Sequence, residues 1–296
     1  NDTHPIGQGS ISTDDFENII NFIGLDNIIS AEEWIEKSKS GSSIGKKVCI
    51  TFDDSLKCQF DIAKPILDKY RIKAFFFVYS SVLKGNLEYL EVFRFYRSKF
   101  FRDFDDFFNS FIKKIKTRSD GSEILEALGR FNPDEYLENF SFYSKKDKIF
   151  RYIRDQVLKT EKYNKLVLSM MEDDQIDIQN IRDLLWMTTA EVKTLDEDGH
   201  IIGLHSDTHP TTMGLLSFER QKQEYTNNKN FLEAQLNKSV EKLSHPCNSY
   251  NSATLSLLEE LKLELGFRAN MQIGFNSKFE IPREDHINIL KIMRSN

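Results

Sequence analysis

A buried strand that ends on two consecutive carboxylates constrains this chain more than any other feature. Lys47 to Phe52 form a β-rich run, and Asp53 and Asp54 follow it directly. A helical stretch over Ile62 to Tyr70 then leads to a second apolar run, Ala74 to Val78. A strand, a helix and a strand joined by short connections form a βαβ unit, which requires a parallel sheet or barrel. The sequence therefore predicts an α/β fold, with both carboxylates at the edge where such sheets bind ligands.

The same alternation of strands and helices returns in the second half of the chain. Strands are predicted at Ile201 to Leu204 and at Glu241 to Ser244, with long helical stretches after each. Two further short strands are predicted around Ala269 to Met271 and over Ile287 to Ile292. Polar clusters follow the strands that end at Leu204 and Ser244, so these clusters and the carboxylates are expected at one edge of the sheet.

Between these α/β segments lies a stretch of different character, residues 85–185. Phenylalanines recur there at helical spacing among lysine, arginine and aspartate residues, which is typical of amphipathic helices that pack through a Phe-rich core. A partner-binding groove or a substrate cap is the alternative interpretation. We predict a single domain: a helical amino-terminal segment over residues 1–45, a catalytic barrel from residues 46–84 and 186–296, and the helical insertion between them.

Composition excludes several functional classes. The 296 residues carry 40 basic and 46 acidic side chains, a net charge of −6, which does not favour a nucleic-acid-binding protein or a polybasic membrane surface. No apolar run reaches the roughly 20 residues that span a bilayer. The odd number of cysteines (Cys49, Cys58 and Cys247) favours a reducing compartment such as the cytoplasm. Since the first residue is Asn, a removed signal or anchor stays open as the alternative.

Two histidines and a carboxylate predict a metal site. His205 and His209 are four residues apart directly after a predicted strand, and Asp53 and Asp54 follow another strand. Two imidazoles and one carboxylate leave open positions on a metal ion, as in catalytic rather than structural sites. Zn²⁺ lowers the pKa of a bound water to about 7, and the second Asp would accept its proton. The alternatives are helix capping by the carboxylates and local hydrogen bonding by the histidines.

Three motifs resemble those of a known family. Thr51-Phe52-Asp53-Asp54 resembles the first motif of the NodB-homology polysaccharide deacetylases, carbohydrate esterase family 4. Asp198 to Pro210 resembles the second motif with its lead-in. Ser244 to Asn251 is similar to the third motif of the exopolysaccharide-deacetylase branch. The resemblance covers about residues 46–84 and 186–292, and the helical segment between them is not part of the common core.

The resemblance implies a fold and a reaction. The fold would be the distorted (β/α) barrel of this family. The reaction would be metal-dependent hydrolysis of an N-acetyl group on an amino sugar in a glycan or glycan precursor. Asp53 would be the general base, and the metal ligands would be Asp54, His205 and His209. The ion would be Zn²⁺, although such sites also accept Co²⁺ or Ni²⁺. The expected partner is therefore a carbohydrate.

The third motif and the end of the chain supply further candidates. The candidate substrate-binding residues are Pro246, Cys247 and Tyr250. The resemblance also implies that a histidine near the carboxyl terminus protonates the leaving amine. His286 is the candidate for this acid, as the one histidine among the last 50 residues, although its surroundings do not reproduce the usual motif. A surface histidine in a charged turn is the alternative interpretation of His286.

Two positions depart from the family pattern. Ser55 replaces the usual Gly after the two Asp residues, and Ser244 replaces an Arg that in many members positions the catalytic Asp. We predict that Arg283 supplies this charge from a different strand. These departures leave one other function open, an inactive homologue that only binds carbohydrate. Hydrolysis of a cyclic or formyl amide at the same site is a further alternative, because the same water attacks any suitable carbonyl.

Overall fold

The computed structural model describes residues 4–5, 7, 9–40, 45–136, 144–272 and 277–295. The chain divides into two compact units. An α/β unit comprises Gln8–Glu88 and Asp183–Asn296. A helical unit comprises Tyr89–Arg182 together with the first residues up to Gly7.

Among the residues that the structure describes, five short strands form one sheet in the α/β unit. The strands are β1 (Thr51–Phe52), β2 (Phe75–Val78), β3 (Ile201–Leu204), β4 (Lys242–Ser244) and β5 (Leu265–Phe267). They lie side by side in chain order, and every neighbouring pair is parallel. Single parallel bridges extend both edges, Ile28 beside Val48 and Ile281 beside Phe267. This half-barrel of parallel strands confirms the predicted α/β fold.

The helices are distributed over both units. In chain order they are α1 (Thr13–Ile23), α2 (Ala31–Lys39), α3 (Lys64–Tyr70), α4 (Ser80–Leu83), α5 (Tyr89–Phe100), α6 (Phe104–Lys116), α7 (Gly121–Gly129), α8 (Lys145–Tyr152), α9 (Lys159–Asp173), α10 (Ile178–Leu185), α11 (Thr189–Glu197), α12 (Phe218–Leu236), α13 (Ser252–Glu260) and α14 (His286–Ser295). In the described part of the chain, none combines the length and the apolar character that crossing a bilayer demands.

Both faces of the sheet are buried, which explains the continuous apolar run of β2. Phe76 and Val78 pack into one hydrophobic cluster, with Leu204 and Leu243. The alternate side chains, including Phe75, pack into a second cluster on the opposite face. Successive side chains of a strand point to opposite faces, so a strand covered on both sides needs apolar residues throughout.

A glycine in β3 keeps the neighbouring strand close. A Cβ atom at Gly203 would lie 2.5 Å from Cδ1 of Phe77 and 2.9 Å from the carbonyl oxygen of Lys242. Any side chain at this position would force apart the strands on both sides of β3. The register of β3 decides where its last residues end, so Gly203 helps to place the loop that follows.

The strand prediction for the end of the chain was wrong. Ile287 to Ile292 lie in helix α14, and Ala269 to Met271 form no strand. The side chain of Asp285 accepts a hydrogen bond from the backbone N–H of Ile287 at 2.8 Å, and its carbonyl accepts from Ile289. This capping outweighs the β propensity of the isoleucines, which is a weak and context-dependent preference. The strand predicted over Lys47 to Phe52 is reduced to β1 and the bridge at Val48.

The helical unit has its own aromatic core. The rings of Phe107, Phe111 and Phe150 pack together with centroids 5.2–5.9 Å apart. Tyr163 joins them, edge-on to Phe150 at 6.0 Å. These phenylalanines are therefore core residues of this unit, as the amphipathic interpretation of the sequence proposed, whereas Phe100 is exposed.

Candidate metal centre and active site

Three side chains converge at the carboxyl edge of the sheet. Asp54 follows β1, and His205 and His209 lie in the loop after β3. Oδ1 of Asp54 is 3.2 Å from Nε2 of His205 and 3.2 Å from Nε2 of His209. One atom from each residue lies within 4.8 Å of the others, which makes them a group that could hold a metal ion. The spacing of the histidines and their strand-end position thus bring together the residues expected to bind metal.

The hydrogen bonding of His205 directs a lone pair into this group. Nδ1 of His205 is 2.8 Å from the carbonyl oxygen of Ser244. A carbonyl oxygen only accepts, so Nδ1 carries the proton and Nε2 of the neutral ring presents a lone pair toward the carboxylate of Asp54. Two acceptors at 3.2 Å repel each other unless a proton or a metal ion lies between them. The site therefore suits a divalent ion, with a backbone carbonyl fixing the tautomer of its ligand.

Burial and charge favour a cation at the same place. The side chain of His205 is 1% exposed and that of Asp54 is 31% exposed, so the group opens to solvent on the Asp54 side. Burial alone would lower the pKa of His205, but the carboxylates of Asp53 and Asp54 and a hydrogen bond outweigh it and raise this pKa. Burial works against ionisation of Asp54 as well, yet the two histidines lower its pKa. Positive charge at Nε2 is thus stabilised by its surroundings.

The other carboxylate, Asp53, is paired with Arg283. Nη1 and Nη2 of Arg283 donate to Oδ1 and Oδ2 of Asp53 at 2.8 and 2.7 Å. The hydroxyl of Ser244 donates to Oδ2 of Asp53 at 3.0 Å and accepts from Nη2 of Arg283 at 2.7 Å. Burial would raise the pKa of Asp53, but these partners and His205 hold it far below its usual value. Arg283 follows the bridge at Ile281, so it reaches Asp53 from beyond β5.

The loops that carry these residues adopt strained backbone conformations. Asp54 and Ser55 have φ angles of +75° and +58°, and Ser206 and His209 have +68° and +54°. Such angles are uncommon for residues other than glycine and cluster at functional sites. The turn after β1 is also hydrogen-bonded to the later chain, because the N–H of Met187 donates to the carbonyl of Ser55 at 2.9 Å.

The strain at Ser55 leads to a prediction about stability. Ser55 is 1% exposed, and its hydroxyl has no hydrogen-bond partner among the described residues. We expect Ser55→Gly to raise the free energy of unfolding by about 1 kcal/mol, since removing an unsatisfied buried hydroxyl is favourable. In a chain of this size that would raise the Tm by roughly 2–4 °C, which thermal unfolding followed by circular dichroism would detect.

Arg71→Gly is the matched control for the backbone contribution. Arg71 has a φ angle of +56° but is exposed. Glycine relieves the strain of the left-handed backbone there, by about 1 kcal/mol. It also increases the conformational entropy of the unfolded chain, which costs about 1 kcal/mol. The two effects cancel, so the Tm should stay nearly constant. A Tm for Ser55→Gly at or below that of the unaltered protein would contradict the interpretation of the buried hydroxyl.

The structure places the third-motif residues on a tight loop after β4. Pro246 is buried and Cys247 is exposed, with a φ angle of +50° at Cys247. The ring of Tyr250 stacks on that of His245 with centroids 4.1 Å apart. Burial and a hydrogen bond with Glu280 raise the pKa of Tyr250 to about 12, so its hydroxyl is neutral. These residues border the strand end that carries Ser244, and their contact with a substrate stays a prediction.

His286 lies at the first position of α14. Nε2 of His286 is 2.8 Å from the carbonyl oxygen of Gly9, and Nδ1 is 3.5 Å from Oδ1 of Asp285. The side chain is 44% exposed. Among the described residues, no hydrogen bond or ion pair joins His286 to the Asp-His-His group. Its role as the acid stays a prediction.

Sequence reasoning missed the polar side chains that support the two motif loops. Asn228 on α12 accepts from the N–H of His205 at 3.0 Å, and Glu224 accepts from the N–H groups of Asp207 and Thr208 at 3.1 and 2.7 Å. The side-chain amide of Gln59 donates to the carbonyl of Asp53 at 2.5 Å. The available signal was in α12, where Glu224 and Asn228 occupy buried, core-facing positions that helices normally fill with apolar residues.

Comparison with known proteins links part of the chain to one family profile. The sequence profile described as polysaccharide deacetylase matches residues 157–266, which contain His205, His209 and the third motif. The first motif lies outside the matched residues. No curated protein sequence matches the chain.

Solved structures of bacterial deacetylases share the fold. The Streptococcus pyogenes deacetylase PplD, in complex with acetate, has a TM-score of 0.54 and 18% identity over 96% of this chain and 87% of that one. A de-N-acetylase from Aggregatibacter actinomycetemcomitans has a TM-score of 0.54 and 12% identity, over 95% and 87%. IcaB from Ammonifex degensii has a TM-score of 0.54 and 13% identity, over 95% of this chain and 86% of that one. At such identities the likeness concerns the fold.

The fold and the profile point to one class of protein. The described chain has the parallel-strand α/β fold seen in the solved NodB-type deacetylases. Residues 157–266 match the polysaccharide deacetylase profile, in agreement with the resemblance found in the second and third sequence motifs.

Proposed function

We propose that the protein is a metal-dependent hydrolase that removes N-acetyl groups from an amino sugar in a glycan or glycan precursor. One observation carries the proposal: a carboxylate oxygen of Asp54 lies 3.2 Å from Nε2 of both His205 and His209. The second carboxylate, Asp53, is adjacent and separately anchored by Arg283. A site that separates a ligand carboxylate from a base carboxylate in this way suits hydrolysis of an amide.

Zn²⁺ fits the donor set of the three proposed ligands. Asp54, His205 and His209 would hold the ion, and this choice of two nitrogens and one oxygen leaves positions for water and substrate. When bound, the ion supplies Lewis acidity that lowers the pKa of water and polarises the acetamide carbonyl. The carbonyl of Ser244 orients His205 for this role through its Nδ1 proton.

Asp53 is the proposed general base. Its low pKa keeps the carboxylate ionised at neutral pH, so one oxygen is available to take the proton from the attacking water. The water oxygen bonds to the carbonyl carbon, the C–N bond breaks, and acetate and a sugar amine leave after the nitrogen gains a proton. Arg283 and Ser244 act as positioning residues, because they fix both oxygens of Asp53.

Metal removal and product analysis test the proposal. We expect the purified protein to release acetate from oligosaccharides of N-acetylhexosamine, to lose this activity by at least about 100-fold after chelation, and to regain it with Zn²⁺. The measurement is acetate by a coupled assay, with free amine counted in parallel. Equal amounts of acetate and amine are expected because each turnover breaks one amide bond.

Formylated sugars and small cyclic amides are tested as alternative substrates in parallel assays. Activity on these and none on N-acetylated sugars would replace the proposed substrate while keeping the site. Binding of sugar with no release of acetate at any metal concentration would make the protein an inactive carbohydrate-binding homologue, and the proposal would be wrong.

A further inference from the structure

A buried carboxylate on α12 contacts the loop that carries the two histidines. Glu224 is 1% exposed. Its Oε2 accepts hydrogen bonds from the N–H groups of Asp207 and Thr208, and its Oε1 accepts from the hydroxyl of Thr208 at 2.7 Å. Nη2 of Arg220 is 2.7 Å from the same Oε1. Among the described residues, the donors to Glu224 from outside α12 thus belong to two consecutive loop residues.

These donors lie between the two proposed metal ligands. Asp207 and Thr208 are the residues that separate His205 and Ser206 from His209. The loop turns sharply there, with φ angles of +68° at Ser206 and +54° at His209. A strained loop keeps such a conformation only where its surroundings fix it. The hydrogen bonds to Glu224 supply part of that restraint, beside those that the side chain of Asp207 makes with Ser80 and Lys84.

Asn228, one helical turn further along α12, contacts the first histidine. Its Oδ1 accepts from the N–H of His205 at 3.0 Å, and its Nδ2 donates to the carbonyl of Val78 at 3.0 Å. Residues four apart on a helix share one face, so Glu224 and Asn228 form a single rigid contact surface. It holds the loop both at its first residue and at its centre.

We propose that Glu224 is a positioning residue that sets the distance between His205 and His209 and thereby tunes the affinity of the site for its metal ion. A carboxylate buried to this extent is costly unless its oxygens are satisfied, and here the loop that presents the histidines satisfies them. Changes to groups that orient metal ligands typically reduce metal affinity by about 10–100-fold. The inference rests on the proposed function, because it assumes that the histidines bind a metal ion.

Two measurements on the full chain test the proposal. For Glu224→Ala we expect Zn²⁺ affinity by calorimetry to fall by about 10–100-fold. In the metal-free protein we expect the amides of Asp207 and Thr208 to exchange hydrogen at least about 10-fold faster, because they lose their acceptor. Glu224→Gln keeps an acceptor oxygen for both amides and should restore most of the affinity. If Glu224→Ala does not fold, Glu224→Asp, which withdraws the carboxylate by one methylene, should show the same two effects.

Gln221→Ala is the matched control. Gln221 is buried on the same helix, but it contacts the carbonyl of Leu216 and the hydroxyl of Thr254 rather than the histidine loop. The Gln221→Ala variant should be less stable but keep its Zn²⁺ affinity and the slow hydrogen exchange of the amides of Asp207 and Thr208. Unchanged affinity and exchange in the Glu224 variants would overturn the proposal. A wild-type protein that binds no Zn²⁺ would instead overturn the proposed function, while the exchange rates would still report on Glu224.

Discussion

Replacing His205 with alanine is expected to abolish both metal binding and hydrolysis. His205 is buried, its Nε2 lies 3.2 Å from Oδ1 of Asp54, and its Nδ1 is fixed by the carbonyl of Ser244. Loss of a ligand costs more than loss of a group that orients one, so we expect Zn²⁺ affinity to fall by more than about 100-fold. Metal content by mass spectrometry after dialysis, together with acetate release, measures both effects.

His200→Ala provides the matched control for this substitution. His200 is as deeply buried as His205, but it accepts a hydrogen bond from the N–H of Ala74, at the amino-terminal end of β2. Its alanine variant should lose stability and keep its metal. If His205→Ala retained stoichiometric Zn²⁺ and normal turnover, the proposed ligand set would be wrong.

The Asp53→Asn variant is expected to keep its metal ion and lose turnover. The amide is nearly isosteric with the carboxylate but does not accept a proton, and a positioned general base typically contributes about 10²–10⁴-fold to the rate. The amide nitrogen would also face Nη2 of Arg283 and leave this buried guanidinium without its counter-charge. We therefore expect a lower Tm as well, which thermal unfolding records separately from acetate release.

Replacing Asp54, the neighbouring carboxylate, distinguishes the role of metal ligand from that of general base. Asp54→Asn removes a proposed ligand rather than the base, so it should lose metal and activity together, unlike Asp53→Asn. Two adjacent residues with opposite effects on metal content would be difficult to explain by general damage to the turn. Full activity of Asp53→Asn would show that another group takes the proton.

The positions of the site residues followed from local sequence. The carboxylates after β1 and the histidines after β3 were predictable, because parallel strands end at one edge and the residues stand directly after apolar runs. The pairing of Arg283 with Asp53 was expected from Ser244, which stands where many relatives place Arg. The structure brings all three together.

Other contacts were not predictable from local patterns. The hydrogen bonds of Glu224 and Asn228 reach loop residues about 20 positions earlier in the chain. Only the burial of these two side chains on α12 sets them apart from surface residues of a charged helix. The isoleucines from Ile287 were assigned to a strand because β-branched residues favour strands, whereas the hydrogen bonds of Asp285 begin a helix there. In each case a specific side-chain contact decided the outcome.

The hydrogen bond between Met187 and Ser55 has a consequence for protein engineering. The polypeptide returning from the helical unit pairs at Trp186 with Leu56 and at Met187 with the turn beside Asp54. A chimaera that exchanges residues 89–182 for the corresponding stretch of another protein should therefore keep Trp186 and Met187 at the downstream splice. A splice placed after Met187 would replace the segment that makes both pairings. The turn that carries Asp54 would then lose contacts that fix it, although no residue of the reactive centre is altered.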